Sequence, residues 1–357
     1  MSNRPTVLEI NKTKFINNIN KIQEYVKGKE LMPVIKANGY GTYINKCIDI
    51  VSKFNIVAIA RVDEGIELRN IGYKGEIFLL NQASILELDD IYKYNITIGI
   101  SDISFIKSIT SPVNCHIEIE TGMNRTGIKV SDLLDTCKII DSNPNINVCG
   151  MYTHFSSADD SSDYTNYQIN NFREAYNILE NKYNLKYVHC SASNGLMNYN
   201  VDFTNLVRPG LIMYGYETFP GSLDIIPVEA IATLKTQITF LKDVDEGEAI
   251  SYSRKYVTDS KRKIATIPIG YADGFRRSMT NTGYVLVNNT KCRIVGSVCM
   301  DSCMIDVTDV DCKVGDTVYI FDNKNITLED IASIYNTINY EVLCTISDRV
   351  KRKFIEE

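Results

Sequence analysis

Pro33-Val34-Ile35-Lys36-Ala37-Asn38-Gly39-Tyr40-Gly41 carries a lysine from the end of an apolar, strand-like run into a loop of Asn, Gly and Tyr. Desolvating an ammonium group is expensive, so lysines are seldom buried. A lysine in this position either snorkels to water or works as an amine of depressed pKa. An amine of that kind forms a Schiff base with an aldehyde such as pyridoxal phosphate. Position alone favours the solvated strand end, and the rest of the chain shifts the balance. The chain has only three histidines, His116, His154 and His189, all in apolar runs. A lone strand histidine is usually a satisfied core residue. At a strand's C-terminal end it can instead stack on a flat ring, and His154 is best situated for that. His189 is situated to hold a neighbour such as Arg208.

These residues need a frame, and the hydrophobic pattern supplies one. Strand-like runs cover 31–37, 56–60, 76–81, 96–100, 113–120, 148–155, 187–193 and 206–214. Helical spacing covers 42–51, 62–70, 84–92, 103–109, 131–140 and 164–180, and 13–26 carries Phe15, Ile19, Ile22 and Val26 on one face. The connections after the last two strands are not clearly helical. Strands alternating with helical crossovers indicate an α/β fold, a (β/α)8 barrel of the TIM type. A doubly wound sheet is the alternative, and the missing GxGxxG-type fingerprint counts against it. In a barrel, active sites lie where strands end. Lys36, Arg125, His154, Ser193 and Arg208 all fall at or near such ends. The Ser193 hydroxyl and the amides of Gly210 and Leu211 suit a phosphate.

After about residue 230 the rhythm becomes mainly β, with runs at 230–240, 263–268, 283–287, 292–298, 304–307 and 317–321 and a helix at 327–335. The expected organisation is a barrel domain, 1–230, followed by a β domain, 231–357. Residues 6–10 precede the first barrel strand and are candidates to pair with the β domain. Net charge is −6, which argues against nucleic acid or an anionic membrane as the main partner. Ten scattered cysteines with no histidine near the Cys299–Cys303 pair make a metal site improbable. Neither a leader nor a run of about 18 apolar residues is present, which indicates a cytoplasmic protein.

With those residues assembled, the chain resembles the alanine racemases, a family of pyridoxal-phosphate enzymes with a barrel and a β domain. The resemblance runs over nearly the whole length. It rests on the Lys36 segment, Thr121-Gly122-Met123-Asn124-Arg125, Val207-Arg208-Pro209-Gly210-Leu211, Ile250-Ser251-Tyr252, Ile269-Gly270-Tyr271-Ala272-Asp273-Gly274, Val298-Cys299-Met300-Asp301 and Ile338-Asn339-Tyr340-Glu341-Val342.

The resemblance implies interconversion of L- and D-alanine, supplying D-alanine for peptidoglycan. Inverting a stereocentre needs a base on each face, which one lysine cannot supply alone. It implies that Lys36 holds pyridoxal 5′-phosphate and serves the D-isomer, while Tyr252 serves the L-isomer. A free phenol has a pKa of about 10, so Tyr252 would need cationic neighbours. Tyr40, Ser193, Gly210, Leu211 and Tyr340 would hold the phosphate, with His154 and Arg208 at the ring. Arg125, Met300 and Tyr271 would meet the substrate. Glu118, His189 and Asp301 would support them, and a homodimer with shared sites is implied. Two departures stand out. Glu118 occupies a position where many members carry a carbamylated lysine, and it is expected to pair with Arg125. Ala192 stands where an asparagine is common. A serine or broader-specificity racemase, and a non-catalytic single-barrel cofactor-binding protein, are the alternatives. Tyr340 argues against the former and the β domain against the latter.

Overall fold

The structure, a computed structural model, describes residues 4–160 and 163–356. The expected outer limits, residues 1 and 357, lie outside the described residues. The chain divides into two compact units: Ile16–Gly39 with Tyr43–Val228, and Met1–Phe15 with Tyr40–Thr42 and Glu229–Glu357.

The first unit is a parallel barrel. Strands Ile56–Ile59, Glu76–Leu79, Thr97–Ile100, Val113–Glu120, Ile146–Tyr152 and Tyr187–His189 lie side by side in chain order. Their middles read as unbroken apolar runs because a parallel strand under a helical layer is buried on both faces. Every residue of Ile56–Ile59 and of Thr97–Ile100 is buried. The short pair Glu30–Leu31 and Leu206–Val207 closes the ring. On one side Val34 bridges Ala58, with the Ile35 amide donating to the Ala58 carbonyl at 2.9 Å. On the other, the Arg208 amide donates to the Ser191 carbonyl at 2.9 Å.

Helices Val62–Asn70, Ile103–Ser108, Leu133–Asp141 and Asp163–Leu179 form crossovers where helical periodicity indicates them. Two strands are shorter than their apolar runs. Pro33 and Pro209 offer no amide to the ladder. The first strand therefore survives beyond Leu31 only as the Val34 bridge, and the last gives way after Val207 to a 3-10 turn, Leu211–Tyr214. The 42–51 stretch likewise breaks into two short turns, Ile44–Lys46 and Ile48–Val51.

The second unit is mainly β. Its larger sheet runs Thr290–Arg293, Tyr284–Val287, Thr317–Phe321, Ala232–Gln237, Val7–Asn11 and Lys351–Ile355 in spatial order. Val7–Asn11 sits between Ala232–Gln237, antiparallel, and Lys351–Ile355, parallel. The apolar run at 230–240 is split because the chain changes sheets there. Ile238 donates to Asp316 and Thr239 to Thr266, and Phe240–Val244 then joins Arg262–Ile267 in a second sheet with Cys303–Asp306. The Arg4 guanidinium grips the buried Asp273 carboxylate with two bonds of 2.6 and 2.7 Å. The final strand, Lys-Arg-Lys-Phe-Ile, escapes a hydrophobicity reading because its charged residues leave no apolar alternation.

Ile98 is fully buried between Leu79 and Cys115 in the barrel register. Ile98→Ala should lower barrel stability by about 2–5 kcal/mol, seen as a lower urea midpoint with unchanged far-ultraviolet dichroism in the native baseline.

Candidate active site

Lys36 opens a backbone turn that few sequences adopt. Ala37, Asn38 and Gly39 are all left-handed (φ 51, 54 and 59°), and Tyr40 continues the run at φ 55°. Each non-glycine residue held there costs about 1–2 kcal/mol, so other contacts must hold the turn. Glu64 does part of this: its carboxylate accepts from the Ala37 amide at 2.5 Å and from the Ala60 amide at 2.8 Å. The Gly39 amide also returns to the Ile35 carbonyl at 3.0 Å. Neither propensity nor periodicity marks Glu64 for this role. Its place at N3 of Val62–Asn70, reaching back to the Arg61 amide, is the only local signal.

At the strand ends beside Lys36, Arg208 is buried, 1% exposed, and no carboxylate pairs with it among the described residues. Its donors go to neutral acceptors. Nη1 meets His189 Nδ1 at 2.6 Å, and Nη2 donates to the Thr153 carbonyl at 2.8 Å and the Cys190 carbonyl at 3.0 Å. Nη2 also lies 3.3 Å from His154 Nδ1. Burial pushes the guanidinium down to about 10, against the charges of Cys190, Tyr152 and Glu118. The same burial, with the charge of Arg208 added, lowers His154 to about 3, and the charges of Arg125 and Lys36 contribute. His189 is driven well below its usual value for the same reasons. His116 reads from the sequence as a core histidine. It is fully buried, and its Nδ1 lies 2.8 Å from His189 Nε2.

Ser193 Oγ accepts the Gly210 amide at 3.0 Å, so hydroxyl and amide face each other where Leu211 begins its turn. A buried cation without a carboxylate, a lysine and a hydroxyl–amide pair make a donor set suited to a flat, anionic, phosphorylated aldehyde. The barrel residues therefore fit pyridoxal 5′-phosphate.

The expected Glu118–Arg125 ion pair is not formed. Glu118 points into the barrel, 4% exposed, taking a 2.9 Å bond from the Thr126 hydroxyl on Oε1, while Oε2 has no partner. Arg125 is exposed on the following loop. Burial raises the carboxyl pKa, against the Thr126 and Tyr152 hydroxyls and the charges of Arg125 and Arg208. A glutamate is too short to follow an arginine that leaves the barrel wall.

The remaining candidates belong to the β unit. Tyr40 and Tyr340 rings stand 5.9 Å apart at 50°. Tyr252 lies in the loop between the short strands Ala249–Ile250 and Tyr256–Val257, flanked by left-handed Ser251 and Ser253. It is joined to two other segments. The Ser297 hydroxyl donates to the Tyr252 carbonyl at 3.1 Å, and the Tyr271 amide to the Cys299 carbonyl at 3.0 Å. Tyr252 (71%), Met300 (52%) and Tyr271 (43%) are all exposed. Asp301 is held by Arg349 at 2.6 Å.

Because His116 and His154 are held near 3, against about 6.5 when unfolded, the unfolded chain binds more protons between those values. Stability should therefore fall as pH drops through that window. The urea midpoint should decline from about pH 7 to about pH 4, less steeply in His116→Asn. A level midpoint in the wild-type chain would show that the imidazoles are not held neutral.

A family model, "Alanine racemase, N-terminal domain", matches residues 10–218, and "Alanine racemase, C-terminal domain" matches 231–354. A Clostridium novyi alanine racemase is 36% identical, the alignment covering 99% of this chain and 96% of the relative. The structure of a Clostridium difficile 630 alanine racemase superposes with a TM-score of 0.93 at 34% identity, covering 100% of this chain and 97% of that one. A Bacillus anthracis alanine racemase with bound L-Ala-P gives 0.93 at 30% identity, covering 100% and 96%.

Proposed function

The chain belongs to the alanine racemase family, and we propose that it interconverts L- and D-alanine with pyridoxal 5′-phosphate in the cytoplasm, supplying D-alanine for peptidoglycan. The observation that carries the cofactor assignment is the buried Arg208 guanidinium, which bonds neutral acceptors and, among the described residues, no carboxylate.

Once bound, the cofactor supplies an electron sink for negative charge at the substrate's α-carbon. Lys36 holds it and moves a proton at Nζ on one face of that carbon. Tyr252 Oη moves the proton on the other face. Arg208 would donate toward the ring nitrogen and cannot accept a proton, so that nitrogen would stay unprotonated and the sink would be moderated. Ser193, Gly210 and Leu211 would hold the phosphate, and His154 would serve the ring. Arg125 would receive the substrate carboxylate, and Tyr271 and Met300 of a second copy would border the substrate.

We infer further that the working form is a homodimer in which Tyr252 of one copy serves Lys36 of the other. The exposure of Tyr252, Tyr271 and Met300 supports this, since an aromatic and methionine patch of that kind suits an interface.

Racemisation assayed with L-Ala, L-Ser and L-Lys should show alanine strongly preferred. Lys36→Ala should lose activity by at least about 10³-fold, the scale of removing both nucleophile and base. Lys36→Ala and Tyr252→Phe chains, each inactive alone, should regain activity on mixing, because one site per heterodimer holds both groups. No recovery despite demonstrated subunit exchange would sink the shared site.

A further inference from the structure

Arginine can only donate, so the hydrogen bonds running inward from Arg208 have a direction. His189 Nδ1, 2.6 Å from Nη1, must accept. A neutral imidazole accepting on Nδ1 carries its proton on Nε2. That Nε2–H points at His116 Nδ1, 2.8 Å away, which accepts in turn. The His116 proton then sits on Nε2, which has no protein partner among the described residues.

The barrel is built around this arrangement. The pairing of Val113–Glu120 with Ile146–Tyr152 shifts register between Cys115 and His116, setting His116 opposite Gly150. A Cβ on Gly150 would lie 2.6 Å from His116 Cδ2 and 2.8 Å from Nε2, so only glycine admits the ring there. Phe78 stacks on His116 at 4.4 Å, and Tyr152 stacks on His189 at 5.3 Å, the two rings nearly parallel at 7°. Gly99 clears the Tyr152 hydroxyl in the same way, its hypothetical Cβ falling 2.2 Å away. A bulge that re-aims a side chain and two glycines that make room for rings amount to more than core filling.

We propose that His116 is a positioning residue for Arg208: it ends a one-way chain, Arg208 to His189 to His116, that locks both imidazoles as neutral Nε2–H tautomers and fixes the direction in which the guanidinium is held. This rests on the assignment of Arg208 to the cofactor ring. The groups facing the two imidazoles are consistent with neutrality: the charges of Arg208 and Lys186 act on His116, Arg208 acts on His189, and Tyr152 and Tyr187 present aromatic faces. Remove the last acceptor and His189 Nε2–H becomes a buried, unmet donor. Its ring can then exchange tautomers and release Nη1.

With only three histidines, ring-15N labelling resolves every imidazole in the holoenzyme. Between about pH 5 and pH 8, His189 and His116 should stay neutral with protons on Nε2, and a scalar coupling should cross the N–H···N bond. Titration of either ring in that range, or a His189 proton on Nδ1, overturns the chain. This pattern is read without turnover. Its loss therefore counts against the chain even in an active racemase, and its presence in an inactive preparation supports it. His116→Asn keeps an acceptor near the Nδ1 position, whereas His116→Phe keeps only shape. The Phe variant should lose roughly tenfold in kcat with KM for alanine within about twofold, and its His189 signal should show mixed tautomers. The Asn variant should recover most of both. Wild-type kcat in His116→Phe, or equal losses in both variants, overturns the positioning role.

Discussion

Arg208 brings a full positive charge into the barrel with no carboxylate bonded to it among the described residues, and much of the interior follows from that. Burying an unpaired ion costs several kcal/mol even after relaxation. Here the cost is offset by two carbonyl oxygens and two imidazole nitrogens. Imidazoles serve as acceptors only while neutral, and burial beside the guanidinium keeps them so. A carboxylate in their place would bind the cation more tightly, but it would leave less of the charge for a ligand. Neutral acceptors hold the group in position and keep it available.

The turn after Lys36 imposes a second constraint of a different kind. Its strain is local and backbone-borne, and it persists because Glu64 and the Ile35 carbonyl tie it down. Asparagine and glycine tolerate the left-handed region, whereas Ala37 and Tyr40 do not favour it. Non-glycine residues therefore occupy a costly conformation directly after the candidate reactive amine. Strain of this sort is retained where position matters more than stability.

The β unit exposes a group of tyrosine and methionine side chains. Three segments joined by hydrogen bonds present Tyr252, Tyr271 and Met300 to solvent, with Asp301 anchored by Arg349. Ser251 and Ser253 hold the Tyr252 loop through positive φ angles. Exposed aromatic and methionine side chains of this kind suit the shared site proposed above.

The sequence alone determined the alternation of strands and helices, because parallel strands buried on both faces must be apolar throughout. It also placed the reactive residue types at strand ends, since strand ends follow directly from where apolar runs stop. Thus Lys36, His154, Ser193 and Arg208 were legible as candidates. Tertiary structure alone decided what each one touches. His116 reads as core until a register shift and Gly150 bring it to His189, a relation between residues 73 positions apart. Glu64 reads as a helix cap until its carboxylate is seen to bracket the Lys36 turn. Glu118 reads as a match for Arg125, yet strand alternation sends it inward while the loop carries Arg125 out. Spacing along a chain fixes which face a side chain takes, but hydrogen-bond partners are set by the closure of the barrel, and no local pattern encodes that.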